Sequence, residues 1–291
     1  MSLLLRYRKL GIEARLRVDA PELEPLALGL QSSAVTGRES CEETATAELV
    51  WQRRSGETWQ IRLKGELWRE AALSQEELFL QSDSLLDDLI REQLALVPML
   101  HAGGVVHPSG GAVVICGSSG AGKTSLVTEC ILQGWNWLSD ERLCFRQENP
   151  FQAEGFRRNF NLKERSFGNF PEIASLPSTR ELIRPHTGKR VRFFDPEELG
   201  RGRFQAEGTV RAVVVPRFDA SGNGTVVTPL GGVELVNLLV PELRTTEIHT
   251  ARWIAEFSRQ VSAFSLRYSN PRGLADVLGS LLESGDLLSR P

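Results

Sequence analysis

Gly117, Ser118, Ser119, Gly120, Ala121, Gly122, Lys123 and Thr124 satisfy the pattern G-x-x-x-x-G-K-[ST] at every fixed position, and Ser125 follows directly. Glycines 117, 120 and 122 let the backbone turn successive N–H groups inward, where they can cradle phosphate oxygens. A helix beginning near Gly122 would add the positive end of its dipole. In that arrangement Lys123 reaches the β- and γ-phosphates, and the Thr124 hydroxyl binds Mg²⁺. The chemistry this predicts is binding of a nucleoside triphosphate. The loop alone leaves open what is done with it.

A carboxylate pair stands in the next strand-like segment, at Asp140 and Glu141. A strand running parallel to the one before the loop would deliver Asp140 to the sheet edge that carries the phosphates. There it could accept the proton of an attacking hydroxyl or help to hold Mg²⁺. Glu141 points to the opposite face of a regular strand and has a different job, and it joins Thr124 and Asp140 as a candidate Mg²⁺ ligand. A solvated Ser-Asp-Glu turn is the plain alternative. By analogy, the short spacing from loop to acid favours compact kinases over motor and transport ATPases, whose second acidic motif lies farther along.

The elements that must position these residues are legible around them. HAGGVV and AVVIC read as two strands joined by the PSGG turn, and the second enters the loop. Residues 123 to 133 have a helical pattern that Gly134 can stop, and WNWLSDERLCF reads as a further strand. Strand, helix and strand make a βαβ unit. Residues 149 to 209, rich in Arg, Pro, Asn and Gly, predict long loops that carry binding groups. VRAVVVP at 210 to 216 suits a strand covered on both faces. Helices are expected near 231 to 239, 250 to 261 and 271 to 283, with a strand at AFSLRY. Before the loop-bearing part, residues 3 to 18, a short helix over 21 to 30 and strands over 46 to 69 form a small α+β module, followed by a helix over 85 to 97. The expected boundary puts the module at 1–84 and an α/β domain at 85–291.

Composition narrows the function classes. The 291 residues carry 34 Lys+Arg against 37 Asp+Glu, a net charge of -3 that disfavours nucleic acid as the partner. No apolar run is long enough for a transmembrane helix, and the charged N-terminal residues are unlike a signal peptide. Cysteines 41, 116, 130 and 144 lack CxxC spacing and read as reduced thiols in a cytoplasmic protein. Trp51, Trp59, Trp68, Trp135 and Trp137 fall on strand-like segments, as core or domain-interface residues.

Taken together, LHAGGVVHPSGGAVVICGSSGAGKTSLVTECILQGWNWLSDERL resembles the catalytic domain of HPr kinase/phosphorylase and, more closely, the HPr-kinase-related proteins. His101, the 117–124 loop and Ser139-Asp140-Glu141 stand in the order of that family's motifs. FRRNFNLKERSF resembles a later stretch of the related proteins, with Arg157, Arg158 and Lys163 at similar places. The resemblance covers most of residues 85 to 283. It implies a P-loop fold of the phosphoenolpyruvate-carboxykinase type, ATP and Mg²⁺ as cofactors, Asp140 as base toward a serine hydroxyl, and His101 close enough to orient it. Independently, a histidine at a strand start beside the loop could stabilise charge. His107, His186 and His249 have no such support, although His186 lies in PHTGKR, which could close over phosphates. Among the basic residues Arg157, Arg158, Lys163, Lys189 and Arg190, Lys163 and Arg158 are the candidates to stabilise the transferred phosphoryl group. The family's glycine-rich signature after the acidic strand is not visible, FRRNFNLK taking its place, so the resemblance leaves open both HPr as the acceptor and the phosphorylase reaction.

Three readings follow. The first is a kinase moving the γ-phosphoryl group of ATP to a hydroxyl, a serine of a peptide or small protein, a substrate class that includes lasso peptides among the family's relatives. The second keeps the chemistry with a sugar or metabolite as acceptor. The third is a nucleotide-binding switch without acceptor phosphorylation. A homo-oligomer stays open, and no membrane partner is expected.

Overall fold

The computed structural model describes residues 3–9, 12–19, 21–23, 34–37, 48–53, 59–63, 66–71, 77–82, 85, 97–146, 148–184, 187–222, 224–244 and 248–283. The chain is a mixed α/β protein that divides into two units. One comprises residues 1–95 and 180–193, the other 96–179 and 194–291. A single boundary at 84/85 does not anticipate the return of residues 180–193 to the first unit.

In the first unit, β1 (Leu3–Lys9), β2 (Ile12–Val18), β3 (Ala34–Gly37), β4 (Glu48–Arg53), β5 (Trp59–Leu63) and β6 (Glu66–Ala71) form a sheet in the order β3-β1-β2-β4-β5-β6. β1 and β2 pair antiparallel from Leu3↔Val18 to Lys9↔Ile12, and β2 runs parallel to β4. On β2 the alternation of Arg15 and Arg17 with buried Leu16 and Val18 shows one face turned inward. Trp51 is fully buried and donates its indole N–H to Ser82 Oγ at 2.7 Å. The expected strands over 46 to 69 are present, and β3 is an addition. The expected helix over 21 to 30 is a single 3₁₀ turn at Pro21–Leu23 where it is described, and most of the one over 85 to 97 lies outside the described residues.

The second unit is built on a nine-stranded sheet. Its strands are β7 (Met99–Leu100), β8 (Ala102–Val106), β9 (Ala112–Cys116), β10 (Asn136–Ser139), β11 (Leu143–Phe145), β12 (Gln152–Gly155), β16 (Glu207–Phe218), β17 (Thr225–Pro229) and β18 (Ser262–Tyr268). A short strand β13 (Phe160–Lys163) precedes the β14 (Arg180–Ile183) and β15 (Arg190–Phe194) hairpin. β16 runs parallel to β9 on one side and β18 on the other. β8 is antiparallel to both β9 and β10, so β10 runs in the same sense as β9.

All five residues of β9 are buried, because both faces of the sheet are covered. Ala112, Val114 and Cys116 pack with Leu235, Leu239, Trp253 and Phe257 from helices α2 (Gly232–Leu239) and α3 (Ile248–Gln260). Val113 and Ile115 pack on the opposite face with Leu126, Val127, Ile131 and Leu278, from α1 (Lys123–Leu132) and α4 (Leu274–Glu283). Helix α1 stops as its sequence predicts. Gly134 adopts φ 87, its N–H reaches Ile131 O at 2.9 Å, and Trp135 N–H reaches Cys130 O at 3.0 Å.

Two sequence expectations are corrected. WNWLSDERLCF is two strands rather than one, because Ser139 Oγ accepts the N–H groups of Glu141 and Arg142 at 3.3 and 3.1 Å and turns the chain after β10. Residues 149 to 209 are not long loops but short strands and 3₁₀ turns, among them Glu164–Asn169, Pro171–Ser175 and Pro196–Leu199. Among the described residues, no helix is long and apolar enough to cross a membrane.

Candidate functional site

The C-terminal ends of β9, β10, β16 and β18 lie at one edge of the sheet, together with the N-terminal start of β8. That edge gathers the 117–124 loop, Asp140, Tyr268 and His101. The register Ala102↔Cys116 places His101 beside the strand end that opens the loop.

The loop is tightly folded. Ala121 N–H bonds Ser118 O at 3.0 Å, and Gly122 caps α1 with φ 107, a conformation that disfavours side chains. A Cβ at Gly122 would stand 1.9 Å from Tyr268 Oη, so the loop is also pressed against β18 at this point. Burial pushes the Tyr268 hydroxyl up to about 12, with Arg165 pulling the other way. The Lys123 side chain folds back across the loop, donating to Gly117 O at 2.5 Å and Ser118 O at 3.4 Å. Ser118 and Ser119 are exposed, whereas Ser125 is buried and bonds Ser166 Oγ at 3.0 Å.

Asp140 lies one residue beyond β10 and is 1% exposed, so the solvated-turn alternative does not describe it. Thr124 Oγ1 donates to its Oδ2 at 3.2 Å. A hydroxyl and a carboxylate side by side are hard oxygen donors of the kind Mg²⁺ takes from a protein when nucleotide phosphates supply further ligands.

Glu141 turns another way. Its Oε1 lies 3.1 Å from His101 Nε2, and His101 Nδ1 lies 2.7 Å from Glu242 Oε2. Burial raises the Glu141 carboxyl, but the hydrogen bond from His101 and the charges of Arg158, His101 and Lys123 outweigh it and bring the group down to about 2. Glu141 is therefore a carboxylate across the physiological range. Beneath the loop, burial first and then the Glu242 carboxylate push the Cys116 thiol up to about 12, which makes it a packing residue.

Basic side chains reach the loop from the following segment. Lys163 Nζ donates to Ser119 Oγ at 2.9 Å, and Arg165 bonds Gly120 O. Arg158 is buried and acts on Glu141 through its charge. Arg157 pairs with Glu197 at 2.8 Å, and Lys189 and Arg190 belong to the first unit, where Arg190 pairs with Glu181. His107 sits at the opposite end of β8, against Trp135 and Ser109. His186 and the His249 side chain lie outside the described residues. Trp135 and Trp137 are core residues.

Sequence reasoning missed Arg165, Ser166, Glu242 and Tyr268. Arg165 stands two residues from Lys163 and could have been read with it. Glu242 is 141 positions from His101 and carries no local signal.

No family model matches the chain, and no curated protein matches it in sequence. Among solved structures, the HPr(Ser) kinase/phosphatase from Coxiella burnetii is similar at 12% identity and a TM-score of 0.32, over 65% of this chain and 96% of that one.

Proposed function

We propose that the second unit is an ATP- and Mg²⁺-dependent kinase that transfers the γ-phosphoryl group to a hydroxyl, a serine of a peptide or small protein. The observation that carries this reading is the buried Asp140 bonded to Thr124 at 3.2 Å, at the mouth of a loop whose lysine lies across it. A structural turn gains nothing from holding a carboxylate out of water beside that hydroxyl.

In this reading the loop amides and Lys123 hold the phosphates, and Thr124, with Asp140 and Glu141 beside it, provides oxygen donors and negative charge for Mg²⁺. The ion would neutralise charge on the β- and γ-phosphate oxygens. Asp140 takes the proton of the acceptor hydroxyl as its oxygen bonds the γ-phosphorus, and the bond to the bridging oxygen breaks to leave ADP. Lys163, Arg165 and Arg158 supply positive charge where the phosphoryl oxygens gain it. The motif resemblance favours serine as the acceptor, and the reduced thiols fit a cytoplasmic site.

The test is transfer of labelled phosphate from ATP, with Mg²⁺, to pools of host peptides and small proteins and of metabolites. Label in a peptide band is the expected result. Label confined to a metabolite replaces the acceptor with a small alcohol, and ATP binding without label in either pool refutes the kinase reading in favour of a switch.

A further inference from the structure

Glu242 has no place in the scheme above, yet it is tied to His101 at this edge. It ends the 3₁₀ turn Val240–Glu242 that follows α2, and its side chain is 10% exposed. Two contacts from this single residue meet His101. The His101 backbone N–H donates to Glu242 O at 2.8 Å, and the ring Nδ1 meets Glu242 Oε2 at 2.7 Å. The flanking chain is fastened as well. Leu243 bridges Leu100 antiparallel, and Arg244 N–H reaches Met99 O at 2.9 Å.

An isolated carboxylate removed from water is costly unless it is paired. Among the described residues, the partner of its side chain is the His101 imidazole. The second torsion of a histidine is broad, so a ring bonded on one side only can swing or flip. Both carboxylates can only accept, so Nδ1–H donates to Glu242 Oε2 and Nε2–H donates to Glu141 Oε1, 3.1 Å away, and the ring carries a proton on each nitrogen when it bridges the two. Glu141 is 40% exposed and adjoins Asp140, so its carboxylate would otherwise sample solvent.

We infer that Glu242 is a positioning residue that clamps His101 and, through it, sets the Glu141 carboxylate beside Asp140 at the reaction edge. Its importance for turnover rests on the kinase reading, while the clamp itself does not.

The experiment reads the two separately. In the whole ¹⁵N-labelled protein, the His101 Nδ1 proton is expected downfield and protected from solvent exchange, assigned by its loss in His101→Gln. Glu242→Ala removes that signal, and Glu242→Gln, which keeps the shape and carries the test should the alanine variant unfold, moves it upfield. An unchanged signal in Glu242→Gln overturns the inference. In the transfer assay, Glu242→Gln lowers kcat about tenfold while KM for ATP stays within about twofold, the lower end of the effect that hydrogen-bond partners of metal-ligating histidines have. Equal kcat with a shifted ring signal overturns the catalytic importance of the clamp. Should wild type transfer no phosphate, the kinase reading fails, and the ring signal still decides whether Glu242 holds His101.

Discussion

Replacing Gly122 with alanine challenges the loop in two ways that can be separated. The residue has φ 107, and an L side chain in the left-handed region costs about 1–2 kcal/mol. The new methyl would also lie 1.9 Å from Tyr268 Oη, well inside contact distance. Tyr268 is 1% exposed and its ring is rigid, so relief requires a shift of β18 or of the loop, at about 1–3 kcal/mol. Gly122→Ala should therefore destabilise by about 3 kcal/mol in guanidinium unfolding followed by tryptophan fluorescence. Tyr268→Phe removes the oxygen and leaves ring carbon Cζ at 3.2 Å from the new methyl, a tight but tolerable approach. The double variant should recover about 1–2 kcal/mol of coupling, and the strain from φ should persist. A loss below about 0.5 kcal/mol for Gly122→Ala, or additivity within about 0.5 kcal/mol, would refute the packing of this loop against β18.

Two further outcomes follow from the same edge and its support. Glu141 is lowered from 4.5 to about 2, so its contribution to stability is full above about pH 4.5 and is lost as pH falls toward 2. With a side chain 40% exposed, solvent screening reduces that contribution to about 1 kcal/mol, and Glu141→Gln should flatten acid unfolding in this window; an unchanged acid limb would contradict the pairing with His101. Fully buried Glu129 on α1 is met by Arg272 Nη1 at 3.3 Å and Gly273 N–H at 2.9 Å, and Arg272 also stacks 4.8 Å over Phe170. Arg272→Ala should lower stability by about 2 kcal/mol, below the usual loss for a buried pair because the arginine is 36% exposed, and adding Glu129→Gln should restore part of it. No recovery in that double variant would show that the pair is not what holds the turn to α1.

How far the sequence spoke depends on whether the signal was local. AVVIC, the glycines, Lys123 and the stop at Gly134 lie within one short stretch, and each has a conformational meaning of its own, so strand, loop and helix could be read directly. Asp140 could be placed at the right edge because a crossover helix returns the chain in the same sense, although β10 meets β9 only through β8. The turn after Ser139 was not read, since it depends on one hydroxyl capturing two amides. Residues 149 to 209 fold into short pieces whose apolar positions, such as Phe160, Leu162, Phe170 and Ile173, are too few per element to show a period. Glu242 illustrates a different limit. In sequence it is an ordinary acid after an apolar helix, and only the docking of residues 240–244 on β7 brings it to His101.

The most direct measurement is transfer of labelled γ-phosphate by the purified protein, with Mg²⁺, comparing wild type with Asp140→Asn and measuring ATP binding alongside. Asn keeps the size of the side chain and its bond to Thr124 while removing the base. The expected result is label in a peptide or small-protein acceptor with wild type, turnover lower by at least about a hundredfold in Asp140→Asn, and ATP affinity near that of wild type. Retention of most of the transfer by Asp140→Asn would contradict the assignment of Asp140 as the base.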